Sequence, residues 1–171
     1  MTTSILTSTL QTIKTNWQTM SVRQRLLKEY RTLEHNNLDG INPILTENLH
    51  LLYADIKIFD NELYQDTYRV KIMIPEQYPY VSPVVIFMKS TEDNINTIPI
   101  HPHIYSNGHI CLDLLGPAWT PIQTINSLLI SLQSILASNS RNERPSDDEK
   151  YVAKAPKNPS KTRFVYHDET I

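Results

Sequence analysis

The stretch that decides the interpretation of this chain is "HPHIYSNGHICLDLL", residues 101–115. It holds the only cysteine of the chain, Cys111, together with three of its six histidines. A thiolate is both a metal ligand and a strong nucleophile, so the residue type alone does not choose between these chemistries. Three interpretations are open: a metal site, a catalytic thiol, or a buried cysteine with no chemical role.

Composition limits the class of protein before any motif is used. The 171 residues suit one globular domain, and a net charge of −2 with a pI near 6.3 provides no basic field for nucleic acid. A single cysteine forms no internal disulfide, and no apolar run approaches the length of a membrane span. We therefore expect a cytoplasmic or nuclear protein with no nucleic-acid or membrane partner.

Hydrophobic periodicity around this stretch predicts an α+β fold. Apolar residues at helical spacing after Ser21 predict a first helix, with Ser21 and Gln24 as a capping box. Alternating apolar residues predict antiparallel strands at 51–59 and 68–74, and the apolar run at 84–87, after a proline-rich segment, predicts a short third strand. A helix followed by an antiparallel meander is an α+β arrangement.

A long irregular segment and a second helix follow the strands. Residues 88–121 have no sustained periodicity, and long ordered loops of this kind tend to be functional. The next helix is predicted to begin with Thr120 as N-cap, Pro121 at the first position and Gln123 completing a capping box. Its polar face contains one apolar residue, Ile130, which is a candidate contact for a partner.

The two ends of the chain are expected to lie outside the folded domain. Residues 1–20 contain many Thr and Ser residues but no arginine, which favours a flexible extension over a targeting peptide. After a short helix predicted around 147–155, residues 156–171 form a polar tail in which Phe164, Val165 and Tyr166 are expected to dock on the domain.

The metal alternative rests on donor types, and their spacing argues against it. His101, His103, His109, Cys111 and Asp113 are all zinc-compatible, but structural zinc sites usually draw paired ligands from two separated positions, and no second cysteine exists. We expect no bound metal. A cysteine and histidine pair for nucleophilic catalysis needs no such spacing and stays open, as does a buried inert cysteine.

A set of spaced motifs decides among these alternatives through a resemblance. The pieces are "YPYVSP" at 78–83, "HPH" at 101–103, "ICL" at 110–112 and "WTP" at 119–121. Their order and spacing resemble the ubiquitin-conjugating enzymes over residues 21–155, and several spaced motifs are far more specific than one. The resemblance implies the fold of that family and a catalytic domain that spans this range.

Two further features resemble one subgroup of the family, the W-type enzymes. His103 stands where the family's His-Pro-Asn motif has asparagine, and the tail "KNPSKTRFVYHDET" at 157–170 also resembles that subgroup. The subgroup attaches ubiquitin to the α-amino group at the N-terminus of a substrate in preference to lysine. The resemblance therefore implies substrate N-termini as acceptors.

The resemblance also implies a mechanism with four site residues. Cys111 would take ubiquitin from a ubiquitin-activating enzyme as a thioester and pass it to the substrate amine. The upstream enzyme uses the ATP, so no cofactor is expected on this chain. His101 would shape the active-site loop, and His103 would donate a hydrogen bond to the oxyanion or accept a proton from the amine. Asp113 would tune the incoming amine, or it is a solvated loop acid.

Partner surfaces are implied in the same way. A RING-type ubiquitin ligase would meet two loops and the first helix through Arg25, Lys28, Tyr80, Pro121 and Ile122. Ile130 and Ser134 would contact the thioester-linked ubiquitin, which gives the apolar residue on the polar face a role. Two alternatives to the enzyme remain at this point: a noncatalytic ubiquitin-binding scaffold of the same fold, and a zinc-binding module.

Overall fold

The structure is a computed structural model that describes residues 22–162 and 164. The extension predicted for residues 1–20 and the helix cap predicted at Ser21 lie outside the described residues. The first helix, α1, is described over residues 22–35. The apolar stripe predicted for it is confirmed as buried, and its members are Val22, Leu26, Tyr30 and Leu33.

Four antiparallel strands form one sheet in the order β1-β2-β3-β4. They are Ile41–Leu45, Leu51–Lys57, Thr67–Met73 and Val84–Met88. The last three confirm the predicted strands, two of them predicted from alternation and β4 from a short apolar run. The first was not predicted, because its sequence "INPIL" contains a proline and shows no clean alternation.

The inward face of the sheet forms the core with the second long helix, α2. Fully buried residues oppose one another across β2 and β3, with Ala54 opposite Val70 and Leu52 opposite Ile72. α2, Ile125–Ser138, contributes a buried apolar stripe. Its members are Ile125, Leu128, Leu129, Leu132 and Leu136.

The start of α2 differs from the prediction. Thr124, not Thr120, is the N-cap: its hydroxyl oxygen accepts from the Ser127 N–H at 3.0 Å, while the Ser127 hydroxyl oxygen accepts from the Thr124 N–H at 2.9 Å. The predicted partner Gln123 accepts from the Thr120 N–H at 3.0 Å, but this bond closes a turn outside the helix. Pro121 therefore lies on the loop before the helix, where its side chain is exposed.

The C-terminal region folds back toward the segment that contains the cysteine. A short helix, α3, spans Asp148–Val152, within the range predicted for it. Phe164 packs near Tyr105 and Tyr151, with ring centroids 6.1 and 5.6 Å apart, as expected from its apolar side chain. Val165 and Tyr166, for which the same was predicted, lie outside the described residues. Within residues 22–162 and 164, no helix is long and apolar enough to cross a membrane.

Candidate active site

A glycine brings the segment containing Cys111 against the sheet. The Gly108 carbonyl accepts from the Phe87 N–H of β4 at 2.9 Å, and Gly108 has a φ of +87°. A Cβ at this position would lie 1.9 Å from the Phe87 carbonyl oxygen. Only glycine combines this left-handed backbone with so close an approach. The glycine therefore holds the chain against β4 three residues before the cysteine.

Cys111 and His103 are brought together at one groove. The Cys111 N–H donates to the His103 carbonyl oxygen at 2.8 Å, and both residues are half-buried. They line a groove of about 750 Å³ whose other walls come from the segments after α2 and after α3. A thiol on an open groove is accessible to a large acyl donor and then to an amine.

His101 lies beneath the groove and does not line it. Its side chain is 5% exposed, and Nδ1 accepts a hydrogen bond from the His103 N–H at 3.0 Å. Burial lowers the pKa of His101 to about 4, helped by the nearby charge of His103, while a hydrogen bond to the Ile135 backbone acts in the opposite direction. The imidazole is therefore neutral at pH 7, and it holds the backbone of His103 in place.

The other histidine of the stretch has a separate partner. His109 is buried, its Nδ1 is 2.8 Å from the Tyr151 hydroxyl, and burial lowers its pKa. Asp113 begins a 3₁₀ turn, Asp113–Leu115, and does not line the groove of Cys111. The described residues include no group of three or more His, Cys, Asp or Glu side chains that could hold a metal.

Several groove residues carried no signal in the sequence. The Tyr105 hydroxyl donates to an Asp147 oxygen at 3.2 Å, and burial, then the charge of Asp147, raises the pKa of Tyr105. The Arg144 guanidinium donates to the carbonyl oxygens of residues 98, 99 and 104, at 3.0, 2.6 and 3.0 Å. Arg144 thereby braces the backbone on both sides of the His-Pro-His motif. These pairs are about forty residues apart, so local patterns do not reveal them.

Comparison with known proteins assigns the chain to a family that is consistent with this geometry. The family model described as ubiquitin-conjugating enzyme matches residues 25–166, most of the chain. The chain belongs to the ubiquitin-conjugating enzyme family. Among curated relatives, the probable ubiquitin-conjugating enzyme E2 16 of Arabidopsis thaliana is 39% identical over 150 residues, covering 86% of this chain and 89% of the relative.

Other relatives place the enzyme close to the W-type members. Ubiquitin-conjugating enzyme E2 W of Caenorhabditis elegans is 36% identical over 152 residues, covering 86% of this chain and 96% of the relative. The crystal structure of the ubiquitin-conjugating enzyme UbcA1 from Agrocybe aegerita superposes with a TM-score of 0.74 at 36% identity, over 80% of this chain and 96% of that one. The α+β fold and the enzyme class predicted from the sequence are both confirmed.

The enzyme presents two exposed loops at the end of the domain where α1 and α2 begin. Tyr80 is 78% exposed and Ile122 is 86% exposed, on the 78–83 loop and on the loop before α2. Lys28 is also exposed, whereas the Arg25 guanidinium donates within the chain to the carbonyl oxygens of Pro121 and Gln123. The Arg25 side chain thus connects α1 to the backbone of the loop before α2.

Ile130 and Ser134 lie one turn apart on the exposed face of α2. Ile130 is 39% exposed, and the Ser134 hydroxyl donates to the Ile130 carbonyl oxygen at 2.8 Å. This face is opposite the buried stripe, as the periodicity predicted. Ile130 is thus an exposed apolar side chain on an otherwise polar helix face.

Proposed function

We propose that Cys111 accepts the C-terminal acyl group of ubiquitin from a ubiquitin-activating enzyme and transfers it to the α-amino group at the N-terminus of a substrate. As a ubiquitin-conjugating enzyme, the chain has ubiquitin, an activating enzyme and ligases as general partners. The observation that carries the proposal is the shared groove of Cys111 and His103, which places the chain's only thiol beside the residue that departs from the family motif.

The two steps follow from the chemistry of a thioester. In the first, the Cys111 thiolate attacks the carbonyl carbon of the thioester on the activating enzyme and releases that enzyme's thiolate, so the energies of reactant and product are nearly equal. In the second, a neutral amine attacks the Cys111 thioester, its nitrogen loses a proton, and the Cys111 thiolate leaves. An amide is more stable than a thioester, so this step runs downhill.

The preference for an α-amine has a physical basis in proton affinity. A free α-amino group has a pKa of about 8 and a lysine side chain one of about 10.4, so roughly two orders of magnitude more of the α-amine is neutral at pH 7. A site that offers little help in removing the proton therefore favours the α-amine. His103 lines the groove where such an amine would arrive, and the proposal assigns its imidazole to accept the proton that the nitrogen loses after attack.

The partner surfaces complete the proposal. Tyr80 and Ile122 are large, exposed and carried on loops stiffened by prolines, which makes them suited to contact a RING-type ligase at low entropic cost. Lys28 and the exposed part of Arg25 would add charge at the edge of this contact. Ile130 and Ser134 would receive the thioester-linked ubiquitin on α2.

A pair of peptides tests the choice of amine. The first has a free N-terminus and one internal lysine, and the second is the same peptide with an acetylated N-terminus. At pH 7, the charged enzyme should modify the first at its N-terminus and leave the second nearly unmodified, as read by mass spectrometry of the products. Raising the pH toward 9 should increase lysine transfer, because more of the lysine becomes neutral.

The control for this experiment is thioester formation, measured in the same reactions. Efficient modification of the acetylated peptide at pH 7 would overturn the α-amine preference while leaving Cys111 as the acyl carrier. An enzyme that never forms the thioester would instead overturn the acyl-carrier proposal itself.

A further inference from the structure

A buried carboxylate joins three parts of the fold near the ligase-facing loops. Glu29 lies on α1 and is 6% exposed. It accepts from the Arg25 Nε, and its two oxygens lie 2.8 and 2.9 Å from the Tyr78 hydroxyl, which donates to them. Oε2 also accepts from the N–H of Ile125, the first residue of α2, at 2.8 Å.

Both exposed loops are attached to this carboxylate. Tyr80 follows Tyr78 by two residues, so the hydroxyl of Tyr78 fixes the base of the first loop. Ile122 lies between two residues whose carbonyl oxygens accept from Arg25, which is itself bonded to Glu29. The second loop is thus held on one side by Arg25 and on the other by the bond from Ile125 to Glu29.

A second set of contacts joins the two loops directly to each other. The Trp119 indole N–H donates to the Pro79 carbonyl oxygen at 2.8 Å, and the rings of Trp119 and Tyr78 lie 6.0 Å apart. Tyr80 and Ile122, the two most exposed large hydrophobic side chains of the described residues, therefore project from loops with little freedom to move relative to one another.

We propose that Glu29 is a positioning residue that sets the relative placement of the two loops and so determines the affinity of the enzyme for a ligase. This proposal rests on the proposed function, because it requires Tyr80 and Ile122 to be the ligase contact. A binding surface composed of two loops loses affinity when the loops sample other placements. The apparent affinity is then proportional to the fraction of molecules whose loops are placed for binding. A buried carboxylate with several donors resists such movement, because each donor left unpaired is costly.

The test uses four variants of the full chain. Glu29→Gln removes the charge, and Tyr78→Phe removes one donor while keeping the ring beside Trp119. Ile122→Ala removes the proposed contact itself. Glu34→Gln makes the same chemical change as the first variant at an exposed position of the same helix and is the matched control.

Two quantities are measured for each variant, after circular dichroism shows that it is folded. The first is the rate of charging by the activating enzyme. The second is the concentration of a RING ligase domain that gives half-maximal discharge of ubiquitin. The domain used is one that stimulates the unmutated enzyme. Glu29→Gln should raise this concentration about tenfold, as expected if about a tenth of the molecules stay competent, with maximal discharge unchanged. Tyr78→Phe should raise it about threefold, and Glu34→Gln should not change it.

The double variant Glu29→Gln with Ile122→Ala separates positioning from general damage. If Glu29 acts through the loops, its substitution should add less than about twofold once Ile122 is gone, because coupled residues are not additive. Full additivity, or normal ligase affinity in both Glu29→Gln and Tyr78→Phe, would overturn the positioning role. If Glu29→Gln does not fold, the ligase affinity of Tyr78→Phe alone decides whether the positioning role stands. If Ile122→Ala itself leaves ligase affinity unchanged, the ligase surface in the proposed function is wrong, and the positioning role is overturned with it.

Discussion

The stability of the enzyme should fall in mild acid because of His101. This imidazole is buried, its Nδ1 accepts from the His103 N–H, and its pKa is lowered to about 4 from an ordinary value of 6.5. Protonation would place a second hydrogen between Nδ1 and the His103 N–H, so the folded state rejects a proton that the unfolded chain takes up. The contribution of the neutral His101 to the free energy of unfolding is therefore fully present above pH 6.5 and is lost progressively as the pH falls toward 4.

The size of this effect follows from the gap between the two pKa values. Between pH 6.5 and pH 4, the free energy of unfolding falls by about 1.4 kcal/mol for each pH unit through this one group. At pH 5, the loss attributable to His101 is about 2 kcal/mol. That is a large share of the roughly 5–15 kcal/mol by which a domain is stable, so the change is measurable.

Urea unfolding at pH 7.5 and pH 5, followed by tryptophan fluorescence, measures the effect. His101→Asn is the informative variant, because the asparagine oxygen can accept from the His103 N–H but does not titrate. Its loss of stability between the two pH values should be about 2 kcal/mol smaller than that of the unmutated enzyme. His35→Asn, at an exposed histidine of α1, is the control and should keep the full loss. An equal loss in His101→Asn and the unmutated enzyme would refute the assigned role of His101.

Three other substitutions test separate parts of the account. Ile122→Ala should charge at the normal rate yet lose ligase stimulation; slow charging in a folded variant would contradict the surface assignment. His103→Asn should keep thioester formation and shift acceptor use toward lysine, and an unchanged product ratio by mass spectrometry would show that acceptor choice is set elsewhere. Gly108→Ala should destabilise the fold by roughly 2–4 kcal/mol in urea unfolding, since its Cβ would overlap the Phe87 carbonyl oxygen; unchanged stability would contradict that geometry.

Periodicity predicted most of the fold because the elements are amphipathic. The stripe on α1, the alternation in β2 and β3 and the short apolar run of β4 were sufficient, since burial of apolar side chains decides each of these structures. The beginning of α2 was misplaced because two capping pairs compete in "TPIQTINS". The pair of Thr124 and Ser127 forms the cap, and the Ile125 N–H finds a long-range acceptor in Glu29. That acceptor is about a hundred residues away and leaves no local pattern.

The site was predictable only where the motif itself carries the chemistry. Cys111 and His103 were identified through the resemblance that the spaced motifs carry, and they line the same groove. His101 was expected to shape the loop; in the structure its Nδ1 accepts a hydrogen bond from the His103 N–H, and its role in the loop stays a prediction. The buried Glu29 and the half-buried Arg144 were not identified, because the role of such a charged residue is recognised from the partners that the fold brings to it. Their roles depend on contacts between distant parts of the chain.

The most direct test of the central claim is the bond formed between Cys111 and ubiquitin. The enzyme is mixed with a ubiquitin-activating enzyme, ATP and ubiquitin, and the products are separated with and without a reducing thiol. Because Cys111 is the only cysteine, we predict one adduct that a thiol cleaves. In Cys111→Ser this adduct should be absent, or an ester that a thiol does not cleave should take its place. A thiol-sensitive adduct that persists in Cys111→Ser, or unmodified enzyme under conditions that charge another member of the family, would contradict it.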